Sequence, residues 1–439
     1  MSNPGPFVYT KCRRPKAGRG YRMDRIIIRG GRPLTGTVPV RGAKNAALPL
    51  MAASILAESP CTLHNVPCLH DVFSMDKLLS WMGMSIEFTG RYMTLDATTL
   101  NRPEAPYDLV RKMRASFFVL GPLLARHGRA RVSLPGGCAI GARPVDIHLK
   151  GLAALGAEIN LVEGYVEAQG PLTGATITLD FPSVGATENI MMAATRARGL
   201  TRIVNAAREP EIEDLAAFLN AMGARISGAG SDLITIVGVD SLQGVEHETI
   251  PDRIEAGTFL AAGAATGGDV TVTDVRPHHL AAFLEKMHEA GALVEIGERR
   301  VRVAAPEGLR AVDITTHPYP GFATDLQAQT MACLTCARGT SVIRETVFEN
   351  RFMQAAELCR MGADIEVDGN TAVVRGVSEL TGAPVMASDL RASAALVIAG
   401  LMARRGETMV SRVYHIDRGY ERIEDRLAML GADIVRVRD

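Results

Sequence analysis

Apolar residues at helical spacing alternate along the chain with short runs of Val, Ile and Thr, and a glycine closes many of the helical stretches. The first strand pattern, 25–29, holds Ile26, Ile27 and Ile28. A clear copy of the alternation predicts a helix over 187–198, a strand over 201–204, a helix over 210–222 and a strand over 225–227. The second helix of that copy runs into Gly223, then Ala224 and Ile226. Glycine suits this junction because the chain takes a positive φ as it leaves a helix to enter a strand.

The same ending recurs six times, at Gly83, Gly156, Gly223, Gly291, Gly362 and Gly431, with intervals of 73, 67, 68, 71 and 69 residues. Each interval holds an apolar helix, a strand, a turn and a second helix, which makes a βαβαββ-like unit of roughly 70 residues. Solenoid repeats are commonly shorter, about 20–50 residues, and 439 residues exceed one ordinary core. The expected architecture is therefore α/β (α+β): two domains of three units each, with a seam near 249–253 around Pro251. The first helices begin near Lys44, Arg114, Ala186, Glu255, Asp325 and Arg391. Helix N-termini turned toward one cleft would attract anions through free N–H groups and dipoles. At any single position, ordinary capping or surface charge explains the residue as well.

Composition narrows the partners. The 48 basic and 48 acidic residues give no general pull toward nucleic acid or membrane, and 5% aromatics leave little surface for stacking bases. The longest apolar runs, 46–57 and 394–403, are too short to span a bilayer and read as buried helices. Seven scattered cysteines form no disulfide framework, which suits a reducing compartment, the cytoplasm. Cys333 and Cys336 form a CxxC inside an apolar run and read as buried helical thiols. No second ligand pair accompanies them, and no metal site or cofactor is expected. Residues 1–22 carry six basic and no acidic residues without the apolar stretch of a secretory signal. They read as a disordered extension, with Met23 an alternative start.

The most chemically suggestive segment is Leu134-Pro135-Gly136-Gly137-Cys138-Ala139-Ile140-Gly141-Ala142-Arg143-Pro144. Its glycines and prolines forbid regular structure, so Cys138 is expected on a loop. Arg143 can make the setting electropositive, and a thiol there can act as acid, nucleophile or both. Taken alone, a loop cysteine serves structure as readily as chemistry. The dipeptide Gly-Lys never occurs, which excludes a P-loop, and neither GxGxxG nor HExxH is present.

Taken together, these segments resemble the UDP-N-acetylglucosamine 1-carboxyvinyltransferase family of enolpyruvyl transferases, relatives of EPSP synthase, from Met23 onward. The resemblance rests on ordered matches at 42–49, 113–116, the cysteine loop 135–146, 183–187 and 205–211. It continues at 324–329, 345–351, 389–393 and 415–421. It implies a two-domain inside-out α/β barrel with helices within and sheets outside. Its lobes would be 44–251 and 252–439, the latter completed by an arm at 23–43. The implied reaction moves enolpyruvate from phosphoenolpyruvate to the 3-hydroxyl of UDP-N-acetylglucosamine, releasing phosphate, in peptidoglycan precursor synthesis. Cys138 matches the acid that protonates the methylene carbon and is alkylated by fosfomycin, Asp325 the general base, and Lys44 a further catalytic group. Lys44, Asn45, Arg114, Cys138, Arg143, Arg391 and Arg418 match phosphoenolpyruvate contacts. Asn45, Arg114, Arg143, Pro144, Val145, Asp146, Ile147, His148, Ser183, Val184, Gly185, Asp325 and Val347 match contacts to the UDP-sugar. A monomer or weak homo-oligomer is expected, with no nucleic-acid or membrane partner. Segment 69–75 departs from the family pattern and is expected to lie away from the chemistry. The shikimate 3-phosphate sibling lacks the Pro-Gly-Gly-Cys loop, and a non-catalytic UDP-sugar binder would not need Cys138 and Asp325 together with the cations.

Overall fold

The computed structural model describes residues 24–111, 113–136 and 145–438. The basic extension 1–22, Met23, Cys138, Arg143 and Pro144 lie outside the described residues.

Among the described residues, six four-stranded sheets carry the repeat. In the copy read most clearly from sequence, strand Thr176–Thr178 leads through helix Val184–Ala194 to a parallel partner, Leu200–Val204. Helix Pro210–Ala221 then leads to the antiparallel pair Arg225–Ser227 and Leu233–Val237. All six repeat glycines have φ between 92° and 110°, the backbone region that disfavours a Cβ. The glycine pattern thus marks real helix ends.

Two strands near the N-terminus join sheets built mostly from the C-terminal half. Arg25–Arg29 lies antiparallel between Thr408–Ser411 and Asp433–Val437, with Ile26 opposite Val410 and Ile27 opposite Val435. Thr35–Pro39 runs parallel to Asp269–Thr273. Conversely, Glu246–Glu248 returns to pair in parallel with Cys61–His64. The chain passes between lobes at two adjacent segments, bridged at Gly42 and Pro251 and by hydrogen bonds from the Ala43 N–H to the Ile250 carbonyl and from the Asp252 N–H to the Arg41 carbonyl.

Two large hydrophobic cores result. One gathers residues such as Ile26, Val38, Phe259, Met331 and Leu396; the other gathers Leu50, Phe117, Ile190 and Phe218. Inner helices Arg253–Ala265, Thr324–Leu334 and Leu390–Met402 pack on one another and are buried on nearly every side. Ala- and Gly-rich sequences permit this, because small side chains let helix backbones approach all round.

Two details differ from the sequence reading. The helix expected from Arg114 is a 3-10 stretch, Arg114–Val119, followed by helix Leu120–His127. The Asn189 amide donates to the Phe117 carbonyl and accepts from the Gly121 N–H at 2.7 Å, taking both partners of one helical bond, and Pro122 has no N–H to continue the ladder. Cys336 lies half-buried in the turn after its helix, while Cys333 is buried within it. Cys61, Cys333, Cys336 and Cys359 are free thiols. Among the described residues, no helix is long and apolar enough to cross a membrane.

Candidate active site

Asp325 stands in the first turn of helix Thr324–Leu334, and the neighbouring chain fixes where that turn points. The Thr324 and Thr316 hydroxyls both donate to the buried Glu345 carboxylate at 2.8 Å, which also accepts the Val347 N–H at 2.9 Å and the Phe348 N–H at 3.2 Å. Glu345 therefore ties the helix start to the loop that carries Val347. One oxygen of Asp325 meets Arg351 at 2.5 Å; the other meets Arg391 at 2.8 Å and accepts from the Asn45 amide at 3.5 Å. The Arg351 and Arg391 side chains are only 3% and 6% exposed, against 25% for Asp325. Burial alone pushes the carboxyl up, but Arg391 and Arg351, joined by Lys44, outweigh it and hold Asp325 well below the usual carboxylate range.

Lys44 begins the inner helix Lys44–Ala53 of the other lobe. Its ammonium lies 3.4 Å from Asp71, whose carboxylate also takes Arg418 Nε at 2.9 Å from across the cleft. Burial lowers the Lys44 pKa, as do Arg391 and Arg418, while Asp71 and Asp325 oppose the shift. Segment 69–75 is thus corrected. Through Asp71 it pairs with two of the expected cations, because helix His70–Trp81 opens at the cleft.

Arg391 is braced from both ends. Asp389 caps its helix by accepting the Arg391 and Ala392 N–H groups, and the guanidinium donates to Tyr420 Oη at 3.3 Å. Tyr420 is buried and is itself held by Thr258 at 2.8 Å and Gln329 at 3.2 Å.

A second patch lies in the first lobe. Ser183 caps helix Val184–Ala194, and a Cβ built on Gly185 would stand 3.3 Å from His148 Cε1, so glycine there lets the two segments touch. His148 Nδ1 lies 3.2 Å from the Asn189 amide, and its ring packs edge-on against Phe117. Burial and then the charge of Arg114 push His148 down to about 3, which keeps the ring neutral. Val145 and Ile147 flank it half-buried, while Asp146 is exposed.

The structure therefore gathers Lys44, Asn45, Asp325, Arg391 and Arg418 into one cross-lobe cluster, with Val347 tied to it through Glu345. His148 and Gly185 touch in the other patch, and Ser183 and Val184 open the helix that carries Gly185. Reasoning from sequence passed over Asp71, Arg351, Glu345 and Tyr420 as site residues. Arg351, Glu345 and Tyr420 stand in the matched segments 345–351 and 415–421, which was the available signal. Asp71 had none.

A third group spans the same boundary. Arg253 holds Glu211 through two bonds, 3.1 and 3.3 Å, and Glu209 accepts the Tyr319 N–H at 3.3 Å. Neither carboxylate oxygen of the buried Glu188 has a hydrogen-bond partner among the described residues. Burial, then Glu211 and Glu209, raise Glu188 well above the usual range. Among the described residues, no group of three or more His, Cys, Asp or Glu is placed to hold a metal ion.

The family model of EPSP synthase (3-phosphoshikimate 1-carboxyvinyltransferase) matches residues 28–427. A UDP-N-acetylglucosamine 1-carboxyvinyltransferase of Desulfosudis oleivorans is 57% identical over 416 residues, covering 94% of this chain and 100% of the relative. That of Myxococcus xanthus is 58% identical over 418 residues, covering 94% and 99%. Among solved structures, the enolpyruvyl transferase NikO from Streptomyces tendae superposes with a TM-score of 0.86 at 27% identity, covering 95% of this chain and 99% of that one. An EPSP synthase from Acinetobacter baumannii shares the fold, with a TM-score of 0.73 at 19% identity over 95% of this chain and 100% of its own. On these matches, the chain belongs to the EPSP synthase family of enolpyruvyl transferases, among its UDP-N-acetylglucosamine 1-carboxyvinyltransferases.

Proposed function

We propose that this protein transfers the enolpyruvyl group of phosphoenolpyruvate to the 3-hydroxyl of UDP-N-acetylglucosamine, releasing phosphate, in the cytoplasm as the first committed step of peptidoglycan precursor synthesis. Whole-length identity of 57–58% to relatives of that name carries the reading, and the cross-lobe cluster of one carboxylate among cations supports it. In this reading the arm 23–43 and residues 252–439 form one lobe, 44–251 form the other, and the substrates lie between.

The substrates bring a carboxylate, a phosphate and a diphosphate, which Lys44, Arg114, Arg143, Arg391 and Arg418 neutralise, the arginines also fixing orientation by their paired N–H groups. Cys138 gives its proton to the methylene carbon, and positive charge develops at the adjacent carbon. The sugar 3-hydroxyl attacks that carbon while Asp325 takes the hydroxyl proton. Loss of a methyl proton and of phosphate then regenerates the double bond. The UDP-sugar runs along Val145–His148 and the Ser183–Gly185 turn, with Asn45 and Val347 at the sugar end.

Phosphate release from phosphoenolpyruvate, measured with UDP-N-acetylglucosamine and separately with shikimate 3-phosphate, tests the proposal. Release with the first substrate alone is the expected result; release with only the second overturns it. Time-dependent inactivation by fosfomycin, absent in Cys138→Asp, is the parallel check on the sulfur.

A further inference from the structure

We propose that Arg351 is a positioning residue for the reaction: a fixed guanidinium that keeps the Asp325 carboxylate anionic and aimed while Arg391 turns to an incoming substrate anion. The inference rests on the proposed function and adds a division of labour between the two arginines. They hold opposite edges of one carboxylate, Arg351 on Oδ1 at 2.5 Å and Arg391 on Oδ2 at 2.8 Å.

Their other contacts differ. Arg391 has a second polar partner in Tyr420 and stands in the first turn of its helix, so it can change partners without being stranded. Arg351 lies against the Phe348 ring, 5.3 Å from its centroid, and its Nε is buried without a partner. Among the described residues, Asp325 is the anion placed to balance its charge.

A carboxylate clamped by two guanidiniums is a poor proton acceptor, because both favour its charged form. The other groups facing Asp325 are Lys44 and Asn45 from the opposite lobe and the more distant charge of Arg253. Moving Arg391 onto a substrate anion removes one clamp and makes Asp325 more basic when a hydroxyl proton must be taken. Moving both would let the carboxylate rotate and take its proton from solvent. Arg351 is the partner built to stay.

The test compares wild type, Arg351→Gln and Arg351→Lys by steady-state phosphate release from pH 5 to 9, with thermal melting alongside. In Arg351→Gln, kcat is expected to fall about 10²-fold or more while KM for each substrate moves by less than about threefold, as befits a group acting on the base. The acid limb of the kcat profile shifts to higher pH. Arg351→Lys keeps the charge and is expected to recover part of kcat and return the limb toward wild type. Wild-type kcat in Arg351→Gln overturns the proposal, as does a loss that the lysine does not recover and that leaves the limb unmoved. Should Arg351→Gln not fold, the lysine variant decides alone: because an ammonium cannot copy the geometry of the guanidinium, a kcat reduced several-fold with KM unchanged supports the assignment, and a kcat equal to wild type overturns it. Inactive wild type would instead refute the proposed function, a separate outcome.

Discussion

Two buried charge groups lie across the same interdomain boundary with opposite stoichiometry. Around Asp325 a single carboxylate meets Arg351, Arg391 and, at longer range, Lys44. Around Arg253 a single guanidinium faces Glu211 and Glu209, the two carboxylates that also bear on the buried Glu188. Burial is common to both, so the balance of charge decides where the proton goes. Asp325 is held well below its ordinary value of 3.8 and Glu188 well above its ordinary 4.5. The first group keeps an anion beside cations that, in the proposed function, meet phosphate and carboxylate. The second keeps a proton. Their linkage to stability has opposite signs: the Asp325 contribution is present above 3.8 and lost as pH falls below it, whereas that of Glu188 is present below 4.5 and lost as pH rises.

The largest expected effect comes from removing the anion of the first group. Asp325→Asn keeps the shape, removes the base and leaves two buried guanidiniums facing each other. Turnover in phosphate release should fall by about 10²–10⁴-fold, with a lower melting temperature from the unpaired cations. Near-normal turnover would remove Asp325 from the mechanism. Removing the cation of the second group comes next, and its effect falls on stability. Arg253→Met strands Glu211 and leaves three carboxyl groups together. Breaking a buried pair costs about 3–5 kcal/mol, readable as a loss in urea or thermal unfolding that Glu211→Gln in the same chain partly restores. A melt unchanged from wild type would show that this ion pair does not hold the lobes.

These two groups were not equally legible in the sequence. The recurring glycines predict six helix ends, and the positive φ at each follows from local chemistry alone. Asp325 and Arg391 could be picked out as charged residues at the starts of apolar helices. Their partners could not. Asp71 lies 27 residues from Lys44 and 347 from Arg418, a triad that exists only once both lobes are folded against each other. Glu188 sits in a helix of small and apolar residues with nothing local to mark it as proton-bearing; its shift comes first from burial and then from Glu211 and Glu209, brought up by the following helix and its N-cap. The 3-10 start at Arg114–Val119 was equally hidden, since Asn189, 72 residues from Phe117, takes the bonds that would have continued the helix.

A smaller effect sharpens the contrast. Glu188→Gln replaces a carboxyl held protonated in the fold by a neutral isostere. Below about pH 4.5 the two proteins should melt alike. As pH rises, wild type must either carry the burial cost of the charge or hold a proton that the unfolded chain has released, so the variant should become progressively the more stable, with kcat close to wild type. A melting difference that is constant with pH would mean that the proton on Glu188 plays no part in stability.

The smallest effect concerns a buried group with a cation for a neighbour. In the proposed function His148 stands beside the UDP-sugar, and a charged imidazole there would be an obvious anion ligand. The geometry argues otherwise: the ring is 7% exposed, abuts Phe117 and the Asn189 amide, and feels Arg114, which together push it to about 3. Its linkage runs in the acid direction, with stability present above the ordinary histidine value of 6.5 and lost as pH falls below it. Between pH 5.5 and 8 the folded ring should stay neutral. The His148 Cε1–H signal, assigned by its disappearance in His148→Gln, should therefore keep its chemical shift across that range, and KM for the UDP-sugar should show no inflection absent from the variant. A titration step near 6.5 in that signal would mean that the ring gains charge when solvent or a phosphate reaches it, and would move His148 from shaping the pocket wall to binding the anion directly.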